Sequence, residues 1–268
     1  MIKRGIWGAL VLATLVIFSA VPTLAARPQT NTSRSLPNIG NDISWPQCGK
    51  ALPSGQAFGI VGVNDGLANN TNPCLSQELS WAYGSNATSG QPQVALYVNT
   101  ANPGHQSALW PTNNIYHDAT IYNPYGTCTG AEDAACAYMY GYERAYDDAN
   151  NRGVPYPETF LWWLDIETVN SWSTTDLVAN KADIQGMADY FASLYTHAGL
   201  YSTSYQWKQI VGTTDAGSSL NGLNSWLPGA RSQKAAVSNC SLAPLTAGGR
   251  VTLTQYISSN LDYDNSCI

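Results

Sequence analysis

Asp165-Ile166-Glu167 follows an unbroken apolar run, Phe160-Leu161-Trp162-Trp163-Leu164. Side chains at i and i+2 leave a strand on the same face, so Leu161 and Trp163 would share a face with both carboxylates. If that face lines a barrel, the apolar pair fills the interior. The acids then emerge at the C-terminal mouth, where such barrels build their active sites. Two carboxyls beside aromatic groups suit glycosidic cleavage. One, its pKa raised by burial and by a like-charged neighbour, protonates the departing oxygen. The other stays ionised and stabilises positive charge at the sugar carbon. The tripeptide alone is a weak signal: with 13 Asp and 5 Glu in 268 residues it arises by chance about 0.24 times. Its place at a strand end gives it weight.

Other acids read as strand-end residues. Asp42 closes the first strand in Asn41-Asp42-Ile43-Ser44, and Asp262 and Asp264 are expected just after the last strand, in Leu261-Asp262-Tyr263-Asp264. The ordinary fate of a loop Asp is a turn or a helix cap, so each needs a reason to be more. Trp110, Trp172, Trp207 and Trp226 fall in or near loops and could stack on sugar rings, whereas Trp162 and Trp163 read as core. His105, His117 and His197 lack metal-ligand spacing, and the chain has neither a C-x-x-C pair nor a G-x-S-x-G elbow. No metal and no cofactor are therefore expected.

The elements that must position these residues alternate. Strands are expected at 58–64, 93–99, 159–167 and 200–203, after a first strand ending near Asp42. Helices are expected at 75–83, 134–150, from a cap at Ser173 or Thr174 to Gly199, and at 205–211. The run 160–164 suggests burial on both faces, as parallel sheets require. A long Pro-, Asn- and Gly-rich loop spans Thr100 to Gly130, and loops of that length inside a compact domain are usually functional. Beyond 211 no helical periodicity remains, and 226–230, 235–237 and 251–257 read as strands. Five βα units followed by three strands imply an α/β fold, a TIM-like barrel with an irregular last third.

Residues 1–26 read as a signal peptide: Lys3 and Arg4, an uncharged apolar run from Ile6 to Ala20, then Thr23-Leu24-Ala25. The run is short for a membrane span of about 20 residues, so no membrane association is expected after its removal. Residues 27–38 read as a flexible tether and 39–268 as one barrel domain. The chain carries a net charge of −6 with 12 Lys and Arg, too few in an acidic chain to neutralise phosphates, which argues against nucleic acid. Its six cysteines suit an oxidising, extracellular or cell-wall compartment and structural disulfides. Sequential pairing is favoured among the possible connectivities because Cys128 and Cys136 flank a short loop.

Asp42-Ile43-Ser44 with Gln47, Asp165-Ile166-Glu167, Tyr201-Ser202-Thr203 with Trp207, and Gln255-Tyr256 followed by Asp262 occur in the order seen in family 25 glycoside hydrolases. The chain thus resembles those lysozymes (N-acetylmuramidases) over nearly all of 39–268, through short motifs. The resemblance implies a modified (β/α)5(β)3 barrel, here disulfide-stabilised, acting as a monomer on a polysaccharide, peptidoglycan foremost. It implies Glu167 as general acid and Asp165 as the carboxylate that assists through the substrate's acetamido group. Asp42 and Asp262 complete the acidic cleft, and Tyr97, Tyr201, Trp226 and Gln255 line the sugar subsites. The chain departs from the family at Gly62-Val63-Asn64-Asp65-Gly66 and Tyr97-Val98-Asn99 and in the enlarged 100–130 loop. These departures spare the acids and alter the cleft wall. They favour the rival reading, a catalytically silent barrel that binds cell-wall glycan or a protein partner.

Overall fold

The computed structural model describes residues 38–268. The expected signal peptide and nearly all of the expected tether lie outside the described residues. Eight strands close into a barrel: β1 (Ile39–Ile43), β2 (Gly59–Gly62), β3 (Val94–Asn99), β6 (Leu161–Asp165), β7 (His197–Tyr201), β8 (Asn224–Ala230), β9 (Val251–Ser258) and β10 (Leu261–Ser266). Around the barrel the order is β1-β10-β9-β8-β7-β6-β3-β2. All neighbours are parallel except β10, which runs antiparallel to both β9 and β1. A two-stranded ribbon, β4 (Ile115–Tyr116) and β5 (Ala119–Thr120), lies within the long loop after β3.

Helices α1 (Leu75–Tyr83), α2 (Ala134–Asn150), α3 (Leu177–Ser193), α4 (Ser204–Ile210) and α5 (Gln233–Asn239) follow β2, the β3 loop, β6, β7 and β8. Five βα units and three strands without helices are present, but the helix-free strands are β9, β10 and β1. The expected strand at 235–237 is the middle of α5. Ser232 caps it by accepting from the Ala235 amide, and Ala236 packs beside Ile39, Ala230 and Tyr256. A seven-residue helix with one buried side chain leaves too little periodicity to read. The helix expected to run to Gly199 ends at Ser193, and Gly199 lies inside β7.

Asp262 and Asp264 do not follow the last strand; they belong to it. Ser259 and Asn260 both take positive φ, 52° and 58°, and join Ser258 to its partner Leu261. This is the two-residue connection whose twist matches an antiparallel pair. β10 escapes a hydrophobic reading because its inward positions are carboxylates.

Two layers of side chains fill the barrel. The lower one packs Phe58, Ile60, Ala95, Trp163 and Leu253, with Leu161 against them. Trp163 fits because its neighbour on β7 is Gly199: a Cβ there would stand 2.3 Å from the indole. Outside the barrel, Trp162, Leu164 and Ile166 pack under α3 with Ile184, Met187 and Phe191. β6 is thus apolar on both faces until Asp165. The disulfides pair sequentially: Cys48–Cys74, Cys128–Cys136 and Cys240–Cys267. No described helix is long and apolar enough to cross a membrane.

Candidate active site

The upper layer of the barrel is polar. Strand register carries Asp165 between Asn99 of β3 and Tyr201 of β7, and Tyr201 beside Trp226 of β8. Asp42 lies near the end of β1, and Asp262 comes in from β10. Together Asp42, Tyr97, Asp165, Glu167, Tyr201, Trp226, Gln255 and Asp262 line one cavity of about 280 Å³. All eight residues singled out in the sequence therefore meet at the C-terminal ends of the parallel strands. Ile257, 65% exposed, completes the lip.

Backbone anchors fix the acid pair. The Asp165 carbonyl accepts from the Thr100 hydroxyl at 2.7 Å, and the Ile166 carbonyl accepts from the Ser202 hydroxyl at 2.7 Å. The Glu167 carbonyl accepts from Trp172 Nε1 at 2.8 Å. These bonds hold the strand end while leaving the carboxyls free. Asp165 is buried and its Oδ1 has no hydrogen-bond partner among the described residues. Glu167 is half-buried, with Gln206 Nε2 at 3.5 Å from Oε1.

Across the cavity, Tyr201 donates its hydroxyl to Gln255 Oε1 at 2.9 Å, and Gln255 Nε2 donates to Asp42 Oδ2 at 2.8 Å. The three side chains come from β7, β9 and β1 and form one relay. Trp226 stands edge-on to Tyr201, centroids 4.5 Å apart, and to Tyr97 at 6.5 Å. Gly62 makes room for this wall: a Cβ there would come within 2.6 Å of Tyr97 and of Ser44. The Gly62–Gly66 departure thus has a packing cause. Asn64 is buried, accepts from the Asn99 amide and donates to Asp148 on α2, so it serves the scaffold.

Among the described residues no lysine or arginine lines the cavity, and like charges must share protons. Burial, then Asp262, pushes Asp42 up to about 7, against which the Gln255 amide works. Burial, followed by Glu167 and Asp42, holds Asp165 well above the usual carboxylate range. Asp262 is raised by burial and by Glu167. The Tyr97 and Tyr201 phenols are pushed far up, chiefly by burial, and stay donors.

Sequence reasoning left Asp264 out of the site. It is fully buried, two residues before the end of β10, on the strand that carries Asp262 and near enough to Asp42 to feel its charge. Neither oxygen has a donor of acceptable geometry, although Trp226 Nε1 lies nearby. Burial, followed by the neighbouring Asp42 charge, holds Asp264 well above the usual carboxylate range. Reading 261–266 as a strand would have placed Asp264 on the face of Asp262. Gln206, on α4, gave no signal. Of the four candidate stacking tryptophans only Trp226 reaches this cavity. Trp207 is buried under the helices, a correction that follows from its place on the inner face of α4. Trp110 and Trp172 line a different cavity.

Among the described residues, Cys48, Cys74 and Glu78 group closely enough to suggest a metal site, but the two sulfurs are joined in a disulfide.

No family model and no curated protein sequence matches the chain. Solved structures do. The family 25 lysozyme of Aspergillus fumigatus superposes with a TM-score of 0.53 at 15% identity, over 85% of this chain and 92% of that one. The muramidase of Trichobolus zukalii gives 0.51 at 17% identity with the same coverage. That of Acremonium alcalophilum gives 0.50 at 17%, again over 85% and 92%. At such identities the likeness establishes the fold: a disulfide-stabilised barrel of the family 25 glycoside hydrolase type.

Proposed function

Starting from a barrel of this type, we propose that the protein is a secreted glycoside hydrolase cleaving β-1,4 bonds of amino-sugar polymers, peptidoglycan first among them. The observation that carries this reading is the convergence of four carboxyls, Asp42, Asp165, Glu167 and Asp262, on one aromatic-walled cavity without a cation. A cluster of that kind both stores a proton and presents negative charge, the two requirements for breaking a glycosidic bond. The secreted setting is supported by the sequence of residues 1–26 and by three disulfides.

In this reading Glu167, on the more open side, gives its proton to the departing oxygen. Asp165 sits deeper, where burial and the neighbouring Glu167 favour its protonated form. An acetamido N–H directed at Asp165 favours its ionised form, since a hydrogen bond to a carboxylate stabilises the charge, and the proton Asp165 gives up goes to Glu167, which delivers it to the departing oxygen. The ionised Asp165 then orients the acetamido group as its oxygen approaches the sugar carbon. Asp42 and Asp262 add negative potential where positive charge develops. Tyr201 and Gln255 fix Asp42, and Tyr97 offers its ring to the sugar, backed by Trp226, which at 2% exposure is packed among Tyr97, Trp163 and Tyr201 rather than open to a ligand. The protein works as a monomer on a polysaccharide; neither nucleic acid nor membrane enters.

The test is the chemistry of the products. Digestion of purified peptidoglycan should release new reducing ends that are N-acetylmuramic acid, identified by borohydride reduction and mass spectrometry. New ends on N-acetylglucosamine would assign a different linkage. Wall binding without new ends would leave the silent barrel, the reading favoured by the altered segments at 62–66 and 97–99.

A further inference from the structure

A second cavity of the described residues is larger than the acid cleft. It measures about 610 Å³ and lies between the segment after Glu167 and the long loop after β3. Its walls are tied together. The Asn102 amide donates to the Ser171 carbonyl at 2.8 Å, Trp110 Nε1 donates to the Ala131 carbonyl at 3.1 Å, and Trp172 Nε1 to the Glu167 carbonyl at 2.8 Å. The Cys128–Cys136 disulfide closes the loop against α2. Both indoles are thereby fixed through their N–H groups; each is half-buried, Trp110 packing on Tyr140 and Trp172 on the core beneath α3, so the part of each ring that lines the cavity is what it can present.

We propose that this cavity is a saccharide subsite, which takes sugar units of the same glycan beyond those held at the acid cleft; it rests on reading that cleft as a glycosidase site. The lining chemistry selects the ligand class. Among the described residues no lysine or arginine lines it, so an anion finds no partner there. The two acids on it are already engaged: Asp176 caps α3 through the Ala179 amide, and Glu132 accepts from the His105 amide at 2.6 Å. What remains is amides, hydroxyls and two indoles, among them Gln106, Ser173 and Thr174. Asn170 adds a further amide side chain to the wall. Polar groups that fix orientation between aromatic faces are how a pocket holds a polyol.

The cavity adjoins the chemistry through the chain itself. Thr168, next after Glu167, is part of its wall, and Trp172 spans from it to the Glu167 carbonyl. A glycan held here is therefore held against the segment that carries the acid. The enlarged 100–130 loop then has a purpose: it builds one wall of a longer binding track.

Calorimetry on the Glu167→Gln protein, titrated with the β-1,4-linked dimer and hexamer of N-acetylglucosamine, tests this without turnover. The hexamer should bind at least about tenfold tighter than the dimer, one aromatic contact's worth of affinity. Adding Trp110→Ala should remove most of that gain, Trp110→Phe should restore part of it, and Gln106→Ala should weaken the hexamer in a fold that keeps both indoles. Hexamer affinity untouched by folded Trp110→Ala and Gln106→Ala proteins would overturn the proposal, as would no hexamer binding by the parent. Trp110-dependent binding by a wild-type protein that releases no reducing ends would keep this subsite and remove the hydrolase reading. Hydrolysis with Trp110-independent affinity would do the reverse.

Discussion

Gln255 Nε2 meets Asp42 Oδ2 at 2.8 Å across 213 residues of chain, and the same amide accepts from the Tyr201 hydroxyl through Oε1. One neutral side chain thus joins the first strand, the ninth and the seventh at the level of the acids. Because its N–H favours the ionised form of Asp42, it tempers the upward push of burial.

Gln255→Leu removes that donor. The Asp42 carboxyl then titrates above its present value of about 7, and the loss of position costs about 10²-fold in kcat/KM. The check is a pH profile of kcat/KM for both proteins. The transition that reports Asp42 should move to higher pH in the variant. A fall in activity with an unmoved profile would reduce Gln255 to a packing residue.

Stability should fall as pH rises. In the unfolded chain Asp42 titrates near 3.8 and in the folded protein near 7. Between those values the folded state binds more protons than the unfolded one, so the contribution of Asp42 is present below about 4 and is lost as pH passes through 7. Burial does the same to Asp148 and Glu143 on α2, each raised to about 7. The Tm should be higher at pH 5 than at pH 8, and Asp42→Asn should narrow the gap. A Tm that climbs over that range would contradict the assigned directions.

Gly199→Ala should be costly although alanine is an ordinary strand residue. The added Cβ stands 2.3 Å from the Trp163 ring, which is walled by Trp226 at 5.7 Å between centroids. Overpacking of this kind costs about 1–3 kcal/mol. Denaturant unfolding reads the loss, and activity should fall with it because Trp163 lies two residues before Asp165. Wild-type stability in the variant would mean that the indole has room to move.

The two sides of the barrel were unequally legible. β6 announced itself through Phe160–Leu164, since a strand buried on both faces is apolar throughout, and α1 and α2 fall at the residues that their periodicity indicates. Asp42, Asp165, Glu167 and Asp262 could be picked out through family-like motifs, and they line one cavity. β10 was hidden because a strand that turns carboxyls inward breaks the alternation on which strand reading depends, and with it went Asp264. α5 was hidden by its brevity. The relay from Tyr201 through Gln255 to Asp42 depends on barrel closure between β1, β9 and β10, a long-range fact that no local pattern carries. Nor does any local pattern show that Trp110 and Trp172, far apart in sequence, face one cavity.

The central claim is that Glu167 supplies the proton that breaks a glycosidic bond, and Glu167→Gln tests it most directly. The change keeps the shape of the side chain and its neighbour Gln206 while removing the acid. Release of reducing ends from purified peptidoglycan should drop by at least about 10²-fold, the usual share of general acid catalysis, with folding and wall binding retained. Release at the wild-type rate by the Glu167→Gln protein would contradict the account and move the proton donor to another carboxyl of the cluster.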